Sequence, residues 1–319
     1  MTEVGFLGVG NHAIENLLPA IFEADNCKVK ILIGRNREKI EYFTKKYCIS
    51  EILILKEIGE IENIIKNIDA LIISAPAEIH EKALLLCAKH NKPVFTEKPP
   101  AESLKNLENI IEANKNNVIQ FGFNFRHSDM FIKLQEEMEL DEIKYLHITS
   151  YAAKPQSRMW NCRTVLESSL LASHIHAIEM VCYILGEIKE ISRKISWIDD
   201  KRFIGTILLK NKEGRVGVID ISNLHNKFEF NLESVDSKNK HFIAQNFNHI
   251  KTYDDVFIDK NNKSNISYDI PFLRGGFSRT GYSREFDNFA KNISLKKSDD
   301  KALTAVLEVY KIIERIKND

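Results

Sequence analysis

The chain begins with a glycine turn placed between a strand and a helix. Residues 4–7, VGFL, form an apolar run typical of a buried parallel strand, and GVGNHA then places Gly8, Gly10 and Ala13 in the spacing Gly-x-Gly-x-x-Ala. The next segments, ENLLPAIFEA and VKILIG, predict a helix and a second strand, which is the context that a dinucleotide-binding turn requires. Gly8 permits the tight turn, Gly10 lets the backbone approach a pyrophosphate, and Ala13 allows close packing of helix on strand. We therefore predict cofactor contacts from Gly8, Gly10, Asn11, His12 and Ala13.

The end of the second strand indicates which dinucleotide is bound. NAD sites place a carboxylate there to bind the ribose 2′-hydroxyl, whereas this chain has Gly34 and Arg35. A guanidinium can bind a 2′-phosphate through two hydrogen bonds, and Arg37 and Lys39 add positive charge nearby. The alternative is that Arg35 is only a solvated loop charge. We favour the phosphate, and therefore predict NADP(H) over NAD(H).

Strands continue to alternate with helices through the first third of the chain. The segments are DALIISAP at 69–76, HEKALLLCAKHN at 80–91, PVFTEKPP at 93–100, a helix over 101–115, and VIQFGFN at 118–124. Such alternation indicates a doubly wound parallel sheet, whose ligands lie at the carboxyl ends of the strands. Pro76, Lys98 and Asn124 fall at these ends.

Beyond residue 123 the pattern becomes rich in β-strands. FIGTILLK and GRVGVIDIS are joined by a short turn and predict antiparallel pairing. We predict an α/β chain with a Rossmann domain at 1–122, built on a doubly wound parallel sheet, and an α+β domain at 123–319 with a large, mainly antiparallel open sheet. One helix over 164–185 carries two histidines, the C-terminal helix could pack back on the first domain, and DKNNKSN at 259–265 is expected to be an exposed loop.

Composition excludes several classes of protein. The 45 basic and 45 acidic residues balance, and without a basic stripe nucleic acid is not an expected partner. The five cysteines are scattered, so neither a metal site nor a disulfide framework is expected. No apolar segment approaches the ~20 residues of a membrane span, and the start lacks the basic region of a signal peptide. A cytoplasmic protein that binds no membrane is predicted.

Several ordered motifs resemble the Gfo/Idh/MocA oxidoreductase family over nearly the whole chain. They are GVGNHA near the start, SAPAEIH at 74–80, VFTEKP at 94–99, FGFNFR at 121–126, HAIEMVCYILG at 176–186, and GYSREFDNFAKNI with the final helix. VFTEKP is the most specific, because it matches the family's Glu-Lys-Pro signature after a strand. The family consists of dehydrogenases and reductases that act mostly on sugars, inositols and nucleotide-linked sugars.

The resemblance implies roles for residues at matching positions. Lys98 corresponds to the lysine beside the nicotinamide and the reacting oxygen, and His176, ten residues before Gly186, corresponds to the proton-transferring histidine. Cofactor-side positions are Gly8, Gly10, Ala13, Arg35, Ala75, Pro76, His80 and Glu97, and substrate-side positions are Asn124, Arg126 and Glu179. The chain departs from the family at Ala172, where many sugar dehydrogenases carry a carboxylate one helical turn before the histidine.

The two histidines cannot serve the same site from one helix. Each residue advances about 100° around a helix, so His174 and His176 project about 200° apart. We predict that His176 handles the proton, since imidazole or a lysine with a lowered pKa can exchange a proton with a hydroxyl. His174 is a candidate substrate contact, although a packing or subunit-contact role is favoured for it. Trp160 and Arg163 could stack on a ring and bind an anionic group, or belong to a lid loop with one packed aromatic.

The leading hypothesis is an NADP(H)-dependent oxidoreductase that acts on a hydroxyl or carbonyl carbon of a small sugar or nucleotide sugar. Ala172 also fits a catalytically silent dinucleotide sensor of the same fold, and a third hypothesis is a reductase of a non-sugar imine or cyclic metabolite. Because open sheets of this family usually pair between subunits, the resemblance implies a homodimer or homotetramer.

Overall fold

The computed structural model describes residues 1–253, 268–270 and 276–318, so DKNNKSN at 259–265 lies outside the described residues. The chain forms two compact units. The first comprises residues 1–127 and 281–303, and the second comprises residues 128–280 and 304–319. The sequence placed the division at 122/123, whereas the contacts place it five residues later and assign residues 281–303 to the first unit.

The first unit is built on a parallel six-stranded sheet in the order β3-β2-β1-β4-β5-β6. Its strands are β1 (Thr2–Leu7), β2 (Cys27–Gly34), β3 (Glu51–Ile54), β4 (Ala70–Ile73), β5 (Val94–Glu97) and β6 (Ile119–Gly122). β4 and β5 are buried at every position because helices cover both faces of a parallel sheet. The predicted doubly wound sheet is therefore confirmed, with β3 added at an edge.

Helices follow the strands of the first unit. A π-helical turn at Ala13–Leu17 runs into α1 (Leu18–Glu23), and α2 (Arg37–Lys46), α3 (Ala77–Lys89) and α4 (Leu104–Ala113) follow β2, β4 and β5. Asn36 and Ser103 begin α2 and α4 by accepting hydrogen bonds from Lys39 N and Asn106 N.

The second unit contains an eight-stranded sheet among its described residues, in the order β14-β13-β12-β11-β7-β10-β9-β8. The strands are β7 (Ile143–Tyr151), β8 (Ile188–Trp197), β9 (Phe203–Asn211), β10 (Val216–Ser222), β11 (Glu229–Asp236), β12 (His241–Gln245), β13 (His249–Tyr253) and β14 (Tyr268–Ile270). All neighbours pair antiparallel except β7 and β10, which are parallel. The mainly antiparallel sheet and the β9–β10 pairing are as predicted.

One long helical stretch packs against this sheet. The stretch runs without a break through three segments: α6 (Val165–Ser169), a π-helical turn at Leu170–His174 and α7 (Ile175–Leu185). A separate helix, α5 (Asp129–Glu137), precedes β7. This stretch of 21 residues is long and apolar enough, by length and composition, to span a membrane, which corrects the expectation that no segment approaches that length. Of its most apolar window, 83% is buried. Its apolar composition is explained by packing on β7 and β10.

Three helices follow β14: α8 (Gly276–Arg279), α9 (Tyr282–Leu295) and α10 (Asp300–Asn318). The helix that returns to the first unit is α9 rather than the C-terminal one. Phe286 and Phe289 of α9 pack on Phe95 of β5 with ring centroids 5.2 and 5.9 Å away, and Gln120 Nε2 donates to Glu285 O at 2.9 Å. From residue 304 onward, α10 belongs to the second unit.

Candidate active site

Neighbouring strands of the parallel sheet all end on one side of it, which is called here the carboxyl edge of the sheet. β1, β4, β5 and β6 are adjacent in the sheet and run in the same direction. The residues that follow them are therefore brought to the same edge, where doubly wound sheets bind their ligands. These residues include Gly8, Ala75, Pro76, Lys98 and Asn124.

The glycine turn has the geometry that a dinucleotide requires. Gly8 has φ +117°, and a Cβ at this position would lie 1.9 Å from Ser74 O, so only glycine fits between β1 and β4. Gly10 is exposed, and a Cβ there would meet nothing within 4 Å, which leaves open space over the turn. Ala13 is 1% exposed beneath the first helical turn. The residues present therefore fit a pyrophosphate above Gly10, with Asn11 and His12 exposed beside it.

Arg35 is an exposed cation directly after β2. Gly34 packs against α2, where an added Cβ would lie 3.1 Å from Ile40 Cδ1. Arg37 is engaged by Glu41 at 3.0 Å, whereas the Arg35 guanidinium has no ion-pair partner among the residues that the structure describes. Its charge is available to a ligand.

Lys98 follows β5 at the sheet edge and is partly buried. Its backbone N donates to Glu97 Oε2 at 3.2 Å. Burial lowers the pKa of the Lys98 ammonium from its usual value, while the neighbouring Glu97 charge opposes that shift. A lysine in this setting exchanges its proton closer to neutral pH than an exposed one does.

Glu97 is 6% exposed and held between two elements. A Cβ at Gly122 would lie 3.0 Å from Glu97 Oε1, so the glycine that ends β6 makes room for this carboxylate. On its other side, Glu97 Oε2 lies 3.7 Å from His12 Nε2. The glycine turn and the Glu-Lys-Pro segment are thus linked by a direct contact.

Tyr282 joins the same cluster and was not found by sequence reasoning. Its ring lies edge-on to the His12 ring, with centroids 5.8 Å apart. Burial raises the pKa of the Tyr282 phenol, and the negative charges of Glu97 and Glu285 raise it further. The phenol therefore stays protonated. Its place in the motif GYSREFDNFAKNI, directly after Gly281 at the start of α9, was a signal in the sequence.

His80 supports the segment that carries Lys98. It is 1% exposed, and its Nδ1 donates to Pro99 O at 3.0 Å. Burial lowers the pKa of His80, so its ring is neutral at neutral pH. Pro76 is exposed at the start of α3 and Ala75 is partly exposed at the end of β4.

Asn124 and Arg126 lie in a 3₁₀ turn directly after β6 and are 2% and 7% exposed. Arg126 Nη1 lies 3.9 Å from Asp299 Oδ2 within the first unit. Burial, aided by the Arg126 and Arg284 charges, lowers the pKa of the adjacent His127 to about 3. Both predicted residues are thus strongly buried.

The structure places His174 in the core of the second unit, against the sheet. His174 is completely buried, and its Nδ1 shares a hydrogen bond of 3.0 Å with Ser150 Oγ on β7. Its ring lies edge-on to Phe203 of β9 at 6.3 Å, and burial lowers its pKa to about 3. His174 therefore faces the sheet as a neutral packing residue, which agrees with the packing role favoured for it.

His176 and Glu179 lie on α7, after the π-helical turn. They are 7% and 1% exposed. Ala172, in the preceding turn, is partly exposed and supplies no carboxylate. His176, which the sequence predicts to handle the proton, is therefore a buried residue of α7.

Trp160 and Arg163 lie in and beside a tight turn before α6. Trp160 has φ +47°, and Cys162 N donates to Met159 O at 2.9 Å across the turn. Thr164 Oγ1 accepts from Glu167 N at 3.0 Å and Glu167 Oε2 accepts from Arg163 N at 2.7 Å, which fixes the start of the helix. The Arg163 side chain remains exposed.

Comparison with known proteins matches the N-terminal part of the chain to a family model. A model of the NAD-binding Rossmann fold of the Gfo/Idh/MocA oxidoreductases matches residues 2–125. Myo-inositol 2-dehydrogenase of Thermotoga maritima is 28% identical over 239 residues, which cover 71% of this chain and 70% of that protein.

Two solved structures confirm the fold over the full length. A dehydrogenase from Chromobacterium violaceum matches with a TM-score of 0.89 over 100% of this chain and 95% of its own, at 22% identity. Levoglucosan dehydrogenase in complex with NADH matches with a TM-score of 0.80 over 99% and 96%, at 16% identity.

The parallel sheet and its glycine turn define a dinucleotide-binding domain, and the relatives of the chain are named dehydrogenases. The chain is an NAD(P)-dependent oxidoreductase whose residues 2–125 match the NAD-binding domain of the Gfo/Idh/MocA family, the family that its ordered sequence motifs resemble.

Proposed function

We propose that this protein transfers a hydride between NADP(H) and a hydroxyl or carbonyl carbon of a small sugar or nucleotide sugar. The observation that supports it best is Lys98: a lysine with a lowered pKa stands at the same sheet edge as the glycine turn. The names of the relatives, myo-inositol 2-dehydrogenase and levoglucosan dehydrogenase, support a polyhydroxylated substrate.

The dinucleotide, when bound, supplies or accepts the hydride. Backbone N–H groups at Gly10 and the first helical turn would hold its pyrophosphate. Lys98 Nζ would hydrogen-bond the reacting oxygen and exchange a proton with it, and His176 would complete the proton transfer. His80 would position Lys98 through its bond to Pro99 O.

The activity is tested by following NADPH oxidation at 340 nm against a panel of keto-sugars, and NADP⁺ reduction against the corresponding polyols. The panel is chosen after mass spectrometry of any ligand that co-purifies. Turnover of one panel member that depends on Lys98 supports the proposal. Cofactor binding without turnover of any sugar, polyol or imine would favour the silent sensor.

We expect NADP(H) to bind more tightly than NAD(H), because the unpaired Arg35 can bind a 2′-phosphate with two hydrogen bonds. Removing a charged hydrogen-bond partner costs about 1.5–3 kcal/mol, so Arg35→Ala should weaken NADPH binding by roughly 10- to 100-fold. NADH binding should hardly change. Titration of nicotinamide fluorescence measures both affinities, and Arg37→Ala, whose side chain binds Glu41, is the matched control. Equal affinities of wild-type protein for the two cofactors would contradict this expectation.

Ala172 supports the second candidate, a catalytically silent dinucleotide sensor. A carboxylate one turn before His176 would bind substrate and raise the pKa of the histidine, and alanine can do neither. A reductase of an imine or cyclic metabolite also fits this loss, since such a substrate needs fewer hydroxyl-binding groups. The assays above, extended to cyclic imines, distinguish these candidates.

We further propose that the protein is a cytoplasmic homo-oligomer that pairs through the open face of the second-unit sheet. Along β7, β9 and β10, residues facing away from α7 are only partly buried, and Ile204 and Leu208 are 39% and 41% exposed. Val218, which pairs directly with Leu208, adds a third apolar side chain to this face, beside the His147–Asp220 pair. Exposed apolar side chains on a sheet are typical of a protein interface.

Light scattering at micromolar concentration should therefore give a mass at least twice the 36.8 kDa of one chain. The double variant Val218→Glu/Leu208→Glu should shift the protein to monomer, because the interface would then bury two unpaired negative charges from each chain. Leu85→Glu, which alters an equally exposed leucine (39%) on α3, should not. A monomeric wild-type protein would rule out this assembly.

A further inference from the structure

A second ligand cleft lies entirely within the second unit, away from its sheet's open face. It is bounded by the loop at 156–158, the start of α6, and the turn that joins β8 to β9. Its volume is about 710 Å³. Small-molecule sites usually occupy about 300–1,000 Å³, so the cleft can hold a ligand of nucleotide size.

Three cations line this cleft without partners. They are Arg158, Arg163 and Lys201, and no carboxylate or carbonyl oxygen among the described residues binds their side chains. Cations that converge on a cleft while unpaired attract an anionic ligand, and arginine binds phosphate with two parallel hydrogen bonds.

The two acids of the cleft do not cancel this charge. Asp199 Oδ1 accepts from Lys201 N and Arg202 N at 2.9 and 2.7 Å, and its Oδ2 accepts from Arg202 Nε at 2.7 Å. Its charge is therefore neutralised by the turn and by an arginine outside the cleft. Asp200 remains, and a single carboxylate beside cations can accept a hydrogen bond from a ligand hydroxyl or ring N–H.

An exposed indole forms another wall. Trp197, the last residue of β8, lines the cleft and is 46% exposed. Its ring packs against Phe203 with centroids 5.4 Å apart, which holds it in place. An indole fixed on one side and open on the other is a stacking surface for a flat ring.

We propose that this cleft binds a nucleoside diphosphate group, with the base on Trp197 and the phosphates on Arg158, Arg163 and Lys201. This ligand class combines a flat ring, hydroxyls and two phosphates within the size of the cleft. A nucleotide sugar, one of the substrates proposed above, carries this group, so the inference rests on that part of the proposed function. UDP binding is measured without turnover, so its failure is distinguishable from a failure of the hydride transfer.

The chain offers a direct optical test because it contains only two tryptophans, Trp160 and Trp197. Trp160→Phe leaves Trp197 as the single indole reporter. UDP, uridine and inorganic pyrophosphate are titrated separately in low-salt buffer without any nicotinamide cofactor. UDP should quench the Trp197 emission saturably, whereas uridine and pyrophosphate should bind at least about tenfold more weakly, since each lacks one half of the contacts.

Adding Arg158→Gln and Arg163→Gln to the reporter variant should weaken UDP binding by at least about tenfold. The matched control adds Lys212→Gln and Lys238→Gln, two exposed lysines in other turns, and should bind UDP as the reporter variant does. Unchanged melting temperatures show that the variants fold.

Three results would overturn the proposal. The first is no saturable quenching by UDP up to ~10 mM, a range in which even weak specific binding is detected. The second is equal affinity for UDP and pyrophosphate, which would remove the role of Trp197. The third is UDP binding that the two glutamine substitutions leave unchanged.

Discussion

Replacing Lys98 by methionine should lower kcat by about 100- to 10,000-fold, the range that a positioned proton-transfer group contributes. Methionine keeps the length and much of the volume of lysine but has no titratable amine. Cofactor binding should change little, because the glycine turn and Arg35 lie on other segments. Steady-state kinetics with the best substrate of the panel, and NADPH titration by fluorescence, measure the two effects separately.

The pH profile gives a second readout of the same residue. Burial lowers the pKa of Lys98, so its neutral form appears at lower pH than in an exposed lysine. Oxidation of an alcohol needs the neutral amine, and its rate should rise as pH increases through the lowered pKa. Reduction needs the ammonium and should fall over the same interval. In Lys98→Met, the pH dependence that arises from this pKa should disappear from both the oxidation rate and the reduction rate.

Lys105→Met, at an exposed position on α4, is the matched control and should behave as the wild type. Wild-type turnover in Lys98→Met, or a pH dependence of the rates that is the same as in the wild type, would show that Lys98 does not exchange the proton.

In the proposed mechanism His176 is the second proton-transfer group, so His176→Ala should also lower kcat by about 100- to 10,000-fold with normal NADPH binding. His174→Ala should leave kcat within a few-fold of wild type. The structure explains the difference: His174 is bonded to Ser150 on the sheet and is neutral, so it takes no part in proton exchange near neutral pH.

The cost of His174→Ala should instead appear in stability. It removes a buried hydrogen bond worth about 0.5–1.5 kcal/mol and leaves a cavity beside Phe203. Urea unfolding should therefore give a lower free energy of unfolding at pH 7. Turnover that survives His176→Ala but disappears in a folded His174→Ala protein would reverse the assignment.

The pH dependence of stability distinguishes His174 further. Its pKa is lowered from 6.5 to about 3, so the unfolded chain binds this proton more readily than the folded one. Stability must then rise with pH between about 3 and 6.5, and acid must weaken the fold. His174→Ala should reduce that slope by the contribution of one proton, measured as the free energy of unfolding at pH 4.5 and pH 7. Ser150→Ala, which removes only the hydrogen-bond partner, keeps the buried imidazole and should retain the slope.

Much of the first unit could be predicted because its signals are local. The glycine turn, Arg35 and the Glu-Lys-Pro segment each follow a strand within a few residues, and parallel strands carry their ends to one edge. The short edge strand β3 was missed because it is mostly exposed and lacks a continuous buried run. In the second unit, the pairing of β9 with β10 was predicted from their apolar runs and the short turn between them, whereas β12 to β14 are short strands whose identity depends on pairing.

By itself the sequence determined the order of strands and helices, the turn that fits a dinucleotide and the lysine that follows β5. These depend on backbone freedom and on residues adjacent in the chain. The tertiary structure alone decided that Tyr282 and Glu97 meet His12, that His174 faces Ser150, and that α9 rather than the last helix joins the first unit. It also assembled Arg158, Arg163 and Trp197 into one cleft. Such contacts join segments far apart in the chain, and their geometry follows from how buried surfaces pack, which no local pattern encodes.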